Sequence, residues 1–199
     1  GDWPEPGAAA AGAPVRLETE RLLIRSIDWK DMADIQRGMD DPDVARNTMT
    51  IPYPYRPGEA AKFLRRAHRQ MADGQAACFA IELRSTGEMI GNMGYHNIDR
   101  EHQRAELGYV TFREHRGNGY TSEAARRLID YAFEEMGMDR VHAAWISMNP
   151  ASGRVLEKAG MLNEGRQVEH LKKKDERFDV CLVGLTRAQW LRRKEKPGS

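Results

Sequence analysis

Residues 114–125 read "EHRGNGYTSEAA", and this stretch decides the fold. Before it, "AELGYVTF" alternates apolar and polar residues up to Phe112, the period of a half-buried strand. After it, Ala125, Leu128, Ile129, Ala132, Phe133 and Met136 recur at helical spacing, and Gly137 closes the run. Gly117-Asn118-Gly119 therefore joins a strand to a helix. A hairpin turn would need a strand on both sides, and the second flank is helical. A lysine-bearing phosphate loop needs Gly-Lys-Ser/Thr, but Tyr120, Thr121 and Ser122 follow Gly119. A dinucleotide fingerprint needs a glycine where Ser122 stands. A different pyrophosphate cradle fits better. Two residues without Cβ let the backbone approach an anion, and the helix start aims free N–H groups at it.

Working outward, "VRLETERLLIRSI" (15–27) reads as the first strand and "DWKDMADIQRGM" as a short helix capped by Asp28. "TIPYPYRP" is a proline-rich loop. In "GEAAKFLRRAHRQMADG", Ala60, Phe63, Leu64, Ala67 and Met71 form a helical stripe, with Arg65, Arg66 and Arg69 on a solvated face. "ACFAIELR", "MIGNMGYHNI" and "RAELGYVTF" follow as strands joined by short turns. After the central helix come the strand "RVHAAWISM" and a helix, "NPASGRVLEKAG", with Asn149 as cap and Pro150 at its first position. Two strands around "LKKKDE" finish the chain. Hairpins followed by strand–helix–strand–helix imply one α/β (mixed α+β) domain. Its sheet is mixed, mostly antiparallel and of about seven strands, with helices on both faces.

Composition sets the outer limits. The 199 residues are 40% hydrophobic and 31% charged, with a formal net charge of +1, so no global field favours nucleic acid. Cys78 and Cys181 lie in apolar runs and have no metal or disulfide spacing. No apolar run approaches the ~18 residues of a membrane span. The opening "GDWPEPGAAAAGAP" lacks the basic start of a signal sequence, and the expected location is the cytoplasm. His96, His102 and His115 lack ligand partners at metal spacing and read as surface or hairpin residues. Trp145 reads as core, and Tyr120 reads equally as core or as a stacking platform.

At this point the chain resembles the GNAT N-acetyltransferases. "EHRGNG" resembles their acetyl-CoA signature, Gln/Arg-x-x-Gly-x-Gly/Ala. "LETERLLIR", "PYPYRPGEAAKFL", "AELGYVTFREHRGNGYTSEAARRLIDYAF", "NPASGRVLEKAGM" and "DVCLVGLTRAQW" resemble, in this order, the RimJ/RimL-like branch. That branch includes enzymes acetylating the N-terminal amine of ribosomal proteins. The likeness makes residues 15–190 a single GNAT-like domain, with 1–14 a flexible lead and 191–199 a basic flexible tail.

The resemblance implies acetyl-CoA as cosubstrate, no metal, and direct attack by a primary amine in a ternary complex. Backbone groups of Val110, Thr111 and Phe112 would hold the thioester and pantetheine arm. Arg116, Gly117, Asn118, Gly119, Tyr120, Thr121 and Ser122 would cradle the diphosphate, and Asn149 would touch the arm. Glu106 would be the general base, directly or through water. Ser152 would be a proton donor or hydrogen-bond partner for the sulfur. The implied acceptor is a peptide or protein N-terminus, in a groove lined by "TIPYPYRP", the first helices and "HLKKKDE". An amino acid, polyamine or aminoglycoside acceptor is the alternative, as is a non-catalytic acyl-CoA-binding module. No membrane or nucleic-acid partner is expected, and the protein would be a monomer or homodimer. Two positions depart from the pattern: Glu114 replaces Gln or Arg, and Gly153 stands where Asn is common.

Overall fold

The structure, a computed structural model, describes residues 14–195. The expected lead lies outside the described residues apart from Pro14, as do residues 196–199 of the tail. The segment read as one strand over 15–27 is a hairpin, β1 (Arg16–Glu18) and β2 (Leu22–Ser26). Thr19 turns the chain, its N–H donating to the Leu22 carbonyl at 2.9 Å. The sheet consequently has eight strands rather than about seven, in the order β1-β2-β3-β4-β5-β6-β8-β7. The others are β3 (Ala77–Leu83), β4 (Met89–Asp99), β5 (Arg104–Thr111), β6 (Arg140–Ile146), β7 (Leu162–Lys173) and β8 (Glu176–Thr186). All described pairs are antiparallel except β5 with β6.

Helices cover both faces. On one side lie α1 (Met32–Met39), α2 (Pro42–Asn47) and α3 (Glu59–Ala72). Ile35, Met39, Val44 and Leu64 pack there with Ala80, Met89 and Phe112. On the other lie α4 (Tyr120–Glu134) and α5 (Pro150–Lys158), and α6 (Arg187–Lys194) packs with them. In α4, Ala125, Leu128, Ile129, Ala132 and Phe133 are all at most 2% exposed, which fulfils the helical period. Each fully buried Leu, Ile or Phe contributes roughly 1.5–3 kcal/mol. Burial in the second core pushes the Cys78 thiol up to about 12, as a packed hydrophobe rather than a reactive group.

The sequence reading missed two helices. In α2, Asp41 caps the start by accepting from the Asp43 N–H, and Pro42 takes the first position. α6 runs into the segment expected to be a basic tail. Thr186 and Gln189 close a capping box at its start. Buried Trp190 donates to Asp130 Oδ1 at 2.7 Å, and Lys194 donates to Asp130 Oδ2 at 2.9 Å. Leu191 through Lys194 are thus an exposed continuation of α6, tied to α4 by Lys194.

Candidate active site

The strand-to-helix loop has the geometry its glycines suggested. Gly117 and Gly119 sit at φ +79° and +78°, a backbone that L residues avoid. A Cβ on Gly117 would meet nothing within 4 Å, and one on Gly119 would meet only Arg21 Nη2 at 3.4 Å. The loop therefore opens to free space. The N–H groups of Gly117, Asn118 and Gly119 bond to no other described residue. Those of the first turn of α4 lack intrahelical acceptors by geometry. A row of donors at the positive end of a helix dipole faces outward, which is what a diphosphate requires.

Distant residues brace this loop. Arg21 donates through Nη1 to the Asn118 carbonyl at 2.9 Å and through Nε to Glu123 Oε2 at 2.7 Å. Its guanidinium lies 4.6 Å over the Tyr120 ring, so Tyr120 is held as a cation–π platform. The Thr111 and Thr121 hydroxyls meet at 2.6 Å and tie strand end to helix start. Buried Ser122 turns back toward the Gly119 carbonyl at 3.4 Å. Phe112 is 3% exposed in the second core, and its backbone is engaged too. Its N–H donates to the Ile90 carbonyl at 2.8 Å and its carbonyl accepts from the His115 N–H at 2.9 Å, so the expected cofactor role of Phe112 finds no free group. Arg116 faces inward: its Nε donates to the Thr111 carbonyl at 2.9 Å and its Nη2 to Asp41 Oδ2 at 2.8 Å. Arg113 donates to Asp41 Oδ1 at 2.7 Å. The Arg113 bond, with Arg116 behind it, holds the Asp41 carboxyl at about 2 against the opposing effect of burial.

Next to the cradle the sheet opens. β5 and β6 pair only over Arg104–Glu106 with Arg140–His142. Beyond that point β5 runs on to Thr111 and β6 to Ile146 with no pairing between them. The β6-side edge of β5 up to Thr111 therefore lacks a strand partner, with the Thr111 carbonyl itself taken by Arg116 Nε, and its remaining groups can pair with an extended amide chain. Glu106 stands opposite His142 at the apex of this splay.

Glu106 and Ser152 approach the splay from opposite faces. Glu106 and Tyr109 are an odd number apart on β5, so their side chains point opposite ways. On one face, Glu106 Oε2 accepts from Asn97 Nδ2 at 2.9 Å and stands 3.4 Å from His96 Nε2. His96 is the largest cause of a Glu106 carboxyl held at about 2, with burial opposing and Asn97 assisting. On the other face, Ser152 Oγ lies 2.6 Å from the Tyr109 hydroxyl. Burial pushes that phenol up to about 12, so it keeps its proton at neutral pH. Asn149 takes the cap position of α5 without a side-chain capping bond, which leaves its amide for another partner. Gly153 is needed for space, because a Cβ there would fall 2.6 Å from the Trp145 ring. Trp145 packs against the first core, as expected.

The sequence reading missed Arg21, Asp41 and Tyr109. Arg21 and Asp41 act through partners far along the chain, and Tyr109 looks like an ordinary alternating strand residue. Among the described residues no three His, Cys, Asp or Glu side chains gather as a metal ligand set.

Comparison with known proteins fits this geometry. The family model of the acetyltransferase (GNAT) domain matches residues 21–162, a span that includes both the cradle and the splay. The chain belongs to the GNAT family. Over 174 residues it is 31% identical to the uncharacterized N-acetyltransferase p20 of Bacillus licheniformis, covering 87% of this chain and 97% of that one. RimL, a ribosomal alpha-N-protein acetyltransferase solved in complex with coenzyme A, superposes with a TM-score of 0.80 at 16% identity, over 86% of this chain and 98% of its own. The Vibrio cholerae spermidine N-acetyltransferase, solved with CoA and spermine, gives a TM-score of 0.76 at 20% identity, over 87% and 99%. The last two likenesses are of fold. As a GNAT enzyme the chain is an acetyl-CoA-dependent N-acetyltransferase. No described helix of this GNAT domain is long and apolar enough to cross a membrane.

Proposed function

We propose that this enzyme acetylates the N-terminal amine of a peptide or protein by direct attack on acetyl-CoA in a ternary complex. One observation carries the reading: a carboxylate and a hydroxyl pair stand on opposite faces of one splayed strand. Amine and thioester can then meet in the plane of the sheet, with no covalent enzyme intermediate. The loop from Arg116 to Ser122 holds the diphosphate, mainly through backbone N–H groups. The unpaired edge of β5 up to Thr111, with Asn149, holds the pantetheine arm.

The chemistry divides between the two faces. The acceptor approaches on the Glu106 face, where negative charge draws an ammonium group and orients the amine at the splay. An α-amino group has a pKa near ~7.7–8.0, so modest help suffices to deprotonate it. On the other face Ser152 and Tyr109 meet the sulfur. A free thiol titrates near ~8.5, well below Tyr109 at about 12. Full proton transfer from Tyr109 is uphill, so the pair stabilises the leaving thiolate by hydrogen bonding, and solvent completes its protonation.

Charge bookkeeping supports a singly charged acceptor. A polyamine needs carboxylates along its length. The carboxylates flanking the Glu106 apex are already engaged, Asp99 by Arg104 and Glu164 by Arg140. The likeness to the spermidine enzyme keeps polyamines as the second reading. Thiol release from acetyl-CoA, measured with an alanine-initiated tetrapeptide, spermidine and an aminoglycoside, decides between them. The peptide should be the best substrate. Efficient turnover of either of the others without peptide turnover overturns the acceptor assignment.

A further inference from the structure

We infer that His96 takes the proton from the attacking amine and that Glu106 holds its ring in place. The two form a carboxylate–imidazole base at the apex of the splay. The inference rests on the acceptor arriving at the Glu106 face.

Four observations converge on His96. First, its Nε2 faces Glu106 Oε2 at 3.4 Å. The neutral tautomer that a carboxylate favours carries its proton on that nitrogen, which leaves Nδ1 with a bare lone pair. Second, the ring lies along β5 toward the splay. A Cβ on Gly108 would meet His96 Cε1 at 3.0 Å and Nδ1 at 3.4 Å. Gly108 pairs with Gly94 on the neighbouring strand, so neither strand supplies a side chain beside the ring. Third, the ring is reachable, its side chain being 47% exposed beside a Glu106 that is 25% exposed. Fourth, the local backbone is shaped for the contact. The β4–β5 register shifts between His96 and Asp99, and Asn97 adopts φ +49°. Bulges of this kind re-aim side chains beside active sites. Here the bulge returns the Asn97 amide to the oxygen that His96 faces.

Basicity favours the same division of labour. A catalytic base works best with a pKa near the working pH. Glu106, held at about 2, is a weak proton acceptor but a firm anchor for a cation forming next to it. The charged groups around the pair are Arg104, held by Asp99 in the β4–β5 turn, and His142 and Arg140 across the parallel pair on β6. Glu164 on β7 is held by Arg140. Burial lowers His142, so it adds little positive charge at neutral pH.

The step balances. The neutral amine forms its bond to the thioester carbonyl carbon, and one N–H proton passes to His96 Nδ1. The C–S bond breaks and the electron pair leaves on sulfur. The imidazolium then returns its proton to solvent, and the thiolate takes one.

The test is the pH dependence of kcat/KM for the alanine-initiated tetrapeptide, in the parent enzyme and in His96→Gln, Glu106→Gln and Gly108→Ala. Acetyl-CoA affinity by calorimetry controls for folding. The parent should show a rising limb between pH 5 and 8, where imidazole changes charge. His96→Gln should lose that limb and at least about tenfold in kcat at neutral pH, with acetyl-CoA affinity kept. Glu106→Gln should keep the limb and lower kcat, because the ring remains but loses the carboxylate that holds it. Gly108→Ala, which displaces the ring without removing it, should lower kcat with the limb retained. A parent-like profile in His96→Gln overturns the inference while leaving the acetyltransferase reading intact. A parent enzyme that releases no thiol with the peptide, spermidine or an aminoglycoside overturns that reading, and the inference with it.

Discussion

At the scale of single residues, Gly119 carries the most direct expectation. It combines φ +78° with the open side of the cradle. A β-branched residue there costs about 1–2 kcal/mol in backbone strain and places methyl groups where the diphosphate would sit. Gly119→Val should therefore weaken acetyl-CoA binding sharply in calorimetry, with a modest fall in Tm. Unchanged affinity would remove the loop from the cofactor site. The hydroxyl pair makes a second case. Ser152 Oγ and the Tyr109 hydroxyl share one short contact, so they should act as a unit. Ser152→Ala and Tyr109→Phe should each lower kcat, and the double variant should lose little more than the worse single. Raising the pH should not rescue them, because their task lies on the leaving group. Full additivity would show that the two act separately. The glycines were legible in the sequence because the strand-to-helix pattern carries its own geometry, whereas Glu106 and Ser152 were singled out through the family resemblance. Arg21 was not, since its value comes from Glu123, 102 positions away. Gly153 was read only as a departure from the family pattern, yet its meaning lies in the Trp145 ring against it.

At the scale of elements, long apolar stripes were legible, and a helix burying one residue was legible only where its cap was recognised, as Asn149 and Pro150 were for α5. α3 and α4 present long stripes and were read directly. α2 buries only Val44 and α6 only Trp190, so neither offers a period to detect. Both are specified instead by caps and ion pairs: Asp41 for α2, Thr186 and Asp130 for α6. β1 and β2 merged into one strand because "LETERLL" carries no glycine or proline to mark its turn. Asp41 also connects elements, since it caps α2 and anchors Arg113 and Arg116 ahead of the cradle. Asp41→Asn should cost about 1–3 kcal/mol, given charge-assisted bonds to arginines that are partly exposed. The sign with pH follows from the depressed carboxyl. Its folded value is about 2 against an unfolded value near ~3.9, so its stabilisation is fully present above the unfolded value. It is lost as pH falls through the folded one. Urea midpoints of parent and Asp41→Asn should differ at pH 7 and converge toward pH 2. A gap that stays constant down to pH 2 would assign the loss to packing rather than charge.

At the scale of the whole molecule, the fold class was legible because the period changes from two to 3.6 at one marked loop, with hairpins before it and a strand–helix alternation after. The closure of the acceptor side was legible only in part. The sequence named "TIPYPYRP", the first helices and "HLKKKDE" as walls of one groove, without showing how they meet. Lys173, from the last of these segments, reaches α2, a helix the sequence reading did not name. Its Nζ donates to the carbonyls of Ala45 at 2.9 Å and Arg46 at 2.7 Å, and also to that of Thr48. A lysine there caps the C-terminal end of α2 and complements its dipole. The tip of the β7–β8 hairpin is thereby latched to a helix on the far side of the splay, while the cradle at the start of α4 takes no part in the contact. Burial lowers the Lys173 ammonium pKa, but three carbonyls solvate the charge that remains. Cutting the latch should therefore loosen the acceptor side alone. Lys173→Ala should raise KM for the alanine-initiated tetrapeptide severalfold and lower Tm slightly, with the acetyl-CoA Kd unchanged. A Lys173→Arg enzyme should recover part of the loss, since a guanidinium can still donate to more than one carbonyl. Equal weakening of acetyl-CoA and peptide binding in Lys173→Ala would mean that the latch supports the sheet as a whole, and unchanged KM would mean that the acceptor enters without passing beneath it.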